Sequence, residues 1–186
     1  MKIEQLITSI SELEKLKTVE RGQHVGNRKE SSAEHSWSCL LIADLVMDYV
    51  NEPLDRLKVF EYLIYHDVVE VYAGDAKFNN PEAMKHKQEK EEKAMQKITS
   101  FLPNANRFRS IMTEYEDRKT RESEFAKAID CIDSCIRNLN DEKASNKDGF
   151  TEGLIRSKYE PHVSKFTITQ ELFETLMKKL VALEKV

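Results

Sequence analysis

The stretch YHDVVEVYAGD, Tyr65 to Asp75, sets His66, Asp67 and Glu70 into a segment with the apolar rhythm of a helix. From Leu57 onward, Leu57, Phe60, Leu63, Ile64, Val68 and Val71 recur at the spacing of one buried helical face. At about 100° per residue, the three polar side chains lie within roughly a quarter turn of one another along the edge of that face. An ionised carboxylate there is costly unless something positive meets it. Two other segments offer ligand-type side chains at inward or edge positions: His35, and an aspartate in a helix beginning near Glu122. Two imidazoles and two carboxylates suit one divalent ion of Mn, Fe, Co, Ni, Zn or Mg better than a soft metal. Such a cation would offset the cost of placing Asp67 on an apolar face. The alternative, which spacing alone leaves open, is that both histidines are hydrogen-bonded core residues and Asp67 caps or pairs with a neighbour.

These side chains need helices to hold them. Ser31-x-x-Glu34 is a capping-box pattern opening a helix over Ser32 to Val50, which is apolar almost all round and therefore expected to be central and buried. His35 falls in its first turn, on the side shared with Cys39, Ile42 and Val46. Pro53 separates it from a helix predicted from Leu54 to about Ala73, ended by Gly74. Pro81 to Leu102 reads as a solvated outer helix, rich in Lys and Glu at i,i+4 spacing. A further helix is expected from about Glu122 to Leu139, with Phe125, Ile129, Ile132 and Ile136 inward. The chain turns polar and loop-like from Asn138 to Gly153, and a last amphipathic helix runs from Thr169 to Glu184. With 5 Gly, 4 Pro and no strand-like alternation of useful length, an all-α fold is predicted.

At 186 residues the chain suits a single domain. The 29 Lys and Arg against 33 Asp and Glu leave a net charge of −4, without the basic excess that a nucleic-acid polymer partner demands. Cys39, Cys131 and Cys135 form no Cys-x-x-Cys pair, and Cys131 and Cys135, i,i+4 on a helix, are expected to pack. The first twenty residues read as an amphipathic helix and no run has the apolar length of a membrane span, so a cytoplasmic protein is expected.

Three motifs also carry a resemblance. RKESSAEHSW (Arg28 to Trp37), YHDVVEVYAGD and EFAKAID (Glu124 to Asp130) resemble, in order and spacing, the motifs of the HD-domain metal-dependent phosphohydrolases; KHKQEKEEKAMQKITSFLP (Lys85 to Pro103) is similar to the same helix in the 5′-deoxynucleotidase branch, and the RKESSAEHSW-type motif resembles uncharacterised bacterial members. The similarity covers roughly Leu13 to Leu139, the motif-bearing core, with 154–186 as a C-terminal helical extension of a single HD domain. It implies His35, His66, Asp67 and Asp130 as ligands of one divalent metal ion, and Glu70 and Asp75 as acidic residues around the reacting phosphate. Burial on the helical wheel alone would nominate Asp133 over Asp130.

The activity so implied is phosphomonoester hydrolysis of nucleoside 5′-monophosphates. Glu70 would orient or deprotonate the attacking water and Asp75 would protonate the leaving 5′-oxygen, in an order the residues leave open. Arg21 and Arg28, in a segment with Gly22 and Gly26 that reads as a loop near the metal, are expected substrate clamps, because a guanidinium fork matches phosphate oxygens. Where that branch has an aromatic residue after the arginine, this chain has Gly22-Gln23-His24. Another small phosphate as substrate (a nucleoside triphosphate, a cyclic or an alarmone nucleotide) and a non-catalytic nucleotide- or metal-binding module are the alternatives. The resemblance also implies a homodimer.

Overall fold

The helix carrying His35 opens with the predicted capping box: the Ser31 hydroxyl accepts the Glu34 backbone N–H, and the Glu34 carboxylate accepts the Ser31 backbone N–H. In the computed structural model, which describes residues 3–76, 78–145 and 149–186, this helix is α2 (Ser32–Met47). It is preceded by α1 (Ile3–Leu13), a 3-10 turn (Glu14–Thr18) and two strands, β1 (Glu20–Val25) and β2 (Arg28–Ser31). The remaining helices are α3 (Arg56–Tyr65), α4 (Glu70–Ala73), α5 (Pro81–Lys85), α6 (Lys87–Phe101), α7 (Ala105–Asp117), α8 (Arg121–Asn140), α9 (Glu152–Val163) and α10 (Thr167–Ala182). The fold is all-α with one small antiparallel hairpin, and among the described residues no helix is long and apolar enough to cross a membrane.

The central element is α8. Phe125, Ala126 and Ile129 on one side join α2, α3 and α7 in one core, while Ala128, Ile132 and Cys135 on the other join α9 and α10 in a second. Cys131 and Cys135 pack as free, buried thiols, as expected. A third core gathers Val68, Val69, Ala94, Ile98, Phe108 and Met112 under the turn that follows His66. Fully burying side chains such as Phe125 or Ile129 stabilises by about 1.5–3 kcal/mol each, so α8 is fixed from both sides.

Several expectations are corrected. The segment around Arg21 and Arg28 is a hairpin and not a loop: His24 pairs with Lys29 and Val25 with Arg28, across a Gly26-Asn27 turn in which Gly26 takes a left-handed φ of 59°. Helix α2 is not buried all round, since Trp37 (66% exposed), Leu41, Leu45 and, just past its end, Tyr49 form an exposed apolar stripe. In α1, Ile3, Ile7 and Ile10 are likewise exposed, and it is Ser9 that is buried, its hydroxyl bonding the Phe101 carbonyl of α6. The helix expected over Leu54 to Ala73 breaks after Tyr65, where Val68 N–H bonds Tyr65 O and Glu70 N–H bonds Asp67 O in i,i+3 steps before α4 begins. The outer Lys/Glu segment divides at His86 into α5 and α6. Helices α7 and α9 were not anticipated as separate elements.

One tie matters for the site. The Asp141 carboxylate at the end of α8 accepts the His24 backbone N–H at 2.7 Å, and Lys185 Nζ reaches the Leu139 and Asp141 carbonyls at 2.7 Å. The hairpin is thereby pinned across the end of α8, and β1 delivers Arg21 to the face that carries Asp130.

Candidate metal centre and substrate cleft

His35, wholly buried on α2, stands between two aspartates of α8 one turn apart. Its Nδ1 lies 2.5 Å from Asp133 Oδ2, and its Nε2 lies 3.1 Å from Asp130 Oδ1, 3.2 Å from His66 Nε2 and 3.7 Å from Asp67 Oδ2. His66 gives its Nδ1–H to the Leu63 carbonyl at 2.9 Å, and its Nε2 is 3.4 Å from Asp67 Oδ1. Each ring thus commits its Nδ1 hydrogen to an oxygen, and each neutral ring turns an Nε2 lone pair inward. Two such lone pairs and two carboxylates around one point repel one another unless positive charge sits among them.

A proton is one source of that charge. Burial and Arg21 both oppose ionisation of His35, yet neighbouring Cys39 and the bonds to Asp130 and Asp133 raise its pKa well above the ordinary value. A divalent cation is the other source, and the nitrogen and oxygen set fits one. Two different groupings around His35 are also close enough to share an ion, His35 with Cys39 and His66, and His35 with Glu30 and Asp133. The first would draw on the Cys39 thiol, a soft ligand that suits the nitrogen and oxygen set less well, and burial raises that thiol to about 12. The second uses the Nδ1 side, where the ring already donates to Asp133. His35, His66, Asp67 and Asp130 converge on the Nε2 side of the two rings, which faces the cleft.

The set opens on a cleft of about 320 Å³ that Glu70, Asp75 and Arg21 also line. Glu70, at the start of α4, receives the Ser32 hydroxyl at 2.6 Å; burial, then the charges of Asp67 and Asp75, push its carboxyl up to about 9. Burial also raises the Asp75 carboxyl, with Arg21 opposing. Asp75 follows Gly74, whose φ of 74° is the left-handed turn that ends α4. Arg21 reaches Asp67 Oδ2 with Nη1 and Ser134 Oγ with Nη2, each at 3.4 Å, while its Nε faces buried Glu30 at 3.3 Å. Burial works against its charge, but Asp67, Asp75, Asp130 and Glu70 hold the guanidinium firmly protonated.

Arg28 is not brought into the cleft. Its guanidinium forks onto Glu34 at the protein surface, 60% exposed, so of the two expected clamps Arg21 is the one that lines the cleft. Sequence reasoning missed Glu30, Ser134, Tyr115 and Lys127. Lys127 Nζ bonds Asp130 Oδ2 at 2.7 Å, and although burial raises the Asp130 carboxyl, Lys127 and His35 hold it well below the usual carboxylate range. The i,i+3 spacing of Lys127 and Asp130 was a legible signal for that pair. The solvated reading of the outer helix also needs amendment, since Lys87 and Glu91 line the cleft.

Comparison with known proteins agrees with this geometry. An HD-domain family model matches residues 13–168. The chain is 26% identical over 144 residues to the 5′-deoxynucleotidase HDDC2 of Mus musculus, covering 75% of this chain and 68% of the mouse protein. With the Homo sapiens protein of the same name it shares 28% over 126 residues, covering 66% of this chain and 59% of the human one. A predicted metal-dependent phosphohydrolase from Magnetospirillum magnetotacticum MS-1, known from its crystal structure, superposes with a TM-score of 0.81 at 26% identity, over 95% of this chain and 93% of that one. An HD-domain phosphohydrolase from Listeria innocua shares the fold, with a TM-score of 0.61 at 21% identity over 98% of this chain and 87% of that one. With the family model spanning most of the chain and its motif residues gathered at one cleft, the chain belongs to the HD-domain family of metal-dependent phosphohydrolases.

Proposed function

We propose that the chain is a divalent-metal-dependent phosphomonoesterase acting on nucleoside 5′-monophosphates, with His35, His66, Asp67 and Asp130 as the metal ligands. One observation carries this reading: two imidazole lone pairs and two carboxylates converge at the wall of a cleft that also presents Glu70, Asp75 and Arg21. A bound divalent ion supplies Lewis acidity there, withdrawing charge from a phosphoryl oxygen and acidifying a water. Arg21, kept charged by the surrounding carboxylates, binds and orients the phosphate oxygens. Glu70, held by the Ser32 hydroxyl, would take a proton from the attacking water once the charge of a bound divalent ion lowers its raised pKa and ionises it. Asp75, its pKa raised by burial, protonates the leaving 5′-oxygen as the P–O bond breaks, so inorganic phosphate and a nucleoside depart. The names of the curated relatives support the nucleotide, and a cleft of about 320 Å³ falls within the range of about 300–1,000 Å³ usual for small-molecule sites.

A second reading, a substrate with more than one phosphate, is favoured by Lys87, Arg118, Lys127 and Lys158 along the cleft. The two are separated by phosphate release from 5′-monophosphates, 3′-monophosphates, cyclic nucleotides and 5′-triphosphates, with Mn, Co, Ni or Mg added to chelator-stripped protein. The 5′-monophosphates are expected to lead in kcat/KM by at least tenfold. A lead for triphosphates would replace the first reading with the second, and a lead for 3′-monophosphates or cyclic nucleotides would overturn both.

We also propose that the chain forms a homodimer through α2. The stripe Trp37, Leu41, Leu45 and Tyr49 runs about 18 Å at 1.5 Å per residue, and two copies crossing antiparallel cover each other's stripe, as a two-fold interface requires. Asp44 and Asp48, both paired with Arg56, give it a polar rim. Light scattering should report a dimer mass, reduced to that of a monomer by Leu45→Glu; a monomer at micromolar concentration before any substitution would remove the proposal.

A further inference from the structure

Beyond the metal centre the cleft meets a second chamber of about 220 Å³, and six residues line both: Gly22, Gln23, Phe78, Ser134, Phe150 and Tyr159. Three of them are aromatic and packed on one another. Phe78 meets Phe150 edge to face at 5.1 Å between ring centroids and Tyr159 at 5.6 Å, and Tyr159 leans on buried Phe173 of α10 at 6.4 Å. The remainder of the cleft lining is dominated by charge, so this trio is its concentrated apolar surface. Phe78 precedes α5, Phe150 precedes α9 and Tyr159 sits within α9, so the trio joins the motif-bearing core to the C-terminal extension.

Its distance from the reacting centre is set by short steps. Arg21 spans the interval, with one guanidinium nitrogen 3.4 Å from Asp67 and another 3.4 Å from Ser134. Ser134 in turn lines both chambers together with Tyr159. A phosphate held by Arg21 therefore lies in the same cleft as the aromatic surface, with Ser134 lining the cleft between them. We propose that Phe78, Phe150 and Tyr159 form a stacking subsite for a heteroaromatic base, with the second chamber receiving the base edge opposite the Gln23 and Asn138 amides. Every nucleobase has a π-face, and stacking on aromatic side chains is sequence-tolerant, so this subsite selects nucleotides over other phosphate esters without choosing strongly among bases. The carboxamides, each both donor and acceptor, add whatever preference exists. Phe78, Phe150 and Tyr159 supply here the aromatic surface that Gly22, following Arg21, does not.

This inference rests on the phosphomonoesterase reading for its kinetic arm and stands apart from it for its binding arm. In the kinetic arm, dAMP is compared with ribose 5-phosphate, which carries a sugar and a phosphate but no base, on Mn-loaded protein. The unmutated protein should favour dAMP by at least tenfold in kcat/KM, and Phe150→Leu or Phe78→Leu should lower that ratio about tenfold, through the KM for dAMP. In the binding arm, equilibrium dialysis of deoxyadenosine against protein without added metal should show binding weakened about tenfold by either substitution, with the thermal midpoint reporting that each variant is folded. An unchanged ratio together with unchanged nucleoside binding in both folded variants overturns the subsite, as does equal use of ribose 5-phosphate and dAMP. If neither ester is hydrolysed, the phosphomonoesterase reading fails, and the deoxyadenosine arm alone decides the subsite.

Discussion

Asp67→Ala should abolish metal-dependent phosphate release, lowering kcat/KM by at least about 10³-fold, a loss of roughly 4 kcal/mol of transition-state stabilisation. The reason is positional. Asp67 puts one oxygen 3.4 Å from His66 Nε2 and the other 3.7 Å from His35 Nε2 and 3.4 Å from Arg21, so no second carboxylate can take its place at the two imidazoles and the phosphate clamp together. The fold should survive, because Asp67 is partly open to the cleft and its charge is one of the causes that raise the carboxyl pKa values of Glu70 and Asp75. Removing it relieves that repulsion while weakening the support for Arg21, two effects of opposite sign. Metal content by elemental analysis should fall with activity while the circular dichroism spectrum is kept. Full metal content and turnover in the variant would remove Asp67 from the centre.

Asp133→Ala and Asp130→Ala should fail differently, although both side chains touch His35. Asp133, 1% exposed, accepts His35 Nδ1–H at 2.5 Å and the Ser38 hydroxyl, so it fixes which nitrogen of the ring faces the cleft. Losing such a support typically costs about 10–100-fold in metal affinity. It also leaves the buried His35 donor unpaired, at about 1–3 kcal/mol of stability, whereas the half-buried Ser38 hydroxyl can turn to water. Asp130, on the Nε2 side, is proposed as a ligand, so Asp130→Ala should eliminate metal binding and leave Lys127 without its carboxylate partner. Calorimetric titration of Mn into the stripped variants, paired with thermal denaturation, separates the two. Metal binding intact in Asp130→Ala but absent in folded Asp133→Ala would exchange their roles.

Much of the site was legible because its residues sit on helices whose ends are chemically marked. Ser31 and Glu34 announced α2, and therefore His35, and the buried face of α8 was readable from Phe125, Ile129 and Ile132. The wheel that favoured Asp133 was right about burial: Asp133 points into the core and Asp130 onto the cleft, a distinction between core and site that periodicity does not draw. The break after Tyr65 carries no Gly or Pro signal; the chain tightens there through i,i+3 bonds around residues whose side chains turn to the cleft. The hairpin was missed because β2 has four residues and the pairing is irregular between Glu20 and His24, too short for alternation to register, although Gly26-Asn27 between two paired runs is a hairpin signal. Helix α7 was overlooked despite Phe108, Ile111, Met112 and Tyr115 at helical spacing, because a polar stretch masks them. Arg28 shows the converse limit: the sequence places an arginine beside a motif without naming its partner, and Glu34 holds it at the surface.

The central claim is that one divalent ion, held by His35, His66, Asp67 and Asp130, is required for phosphate release. The most direct test adds Mn in increments to chelator-stripped protein while the rate of phosphate release from dAMP is recorded. Turnover should rise from near zero and break at one equivalent per chain. Undiminished turnover in the stripped protein, or a rise that continues without a break at one equivalent, would contradict the account.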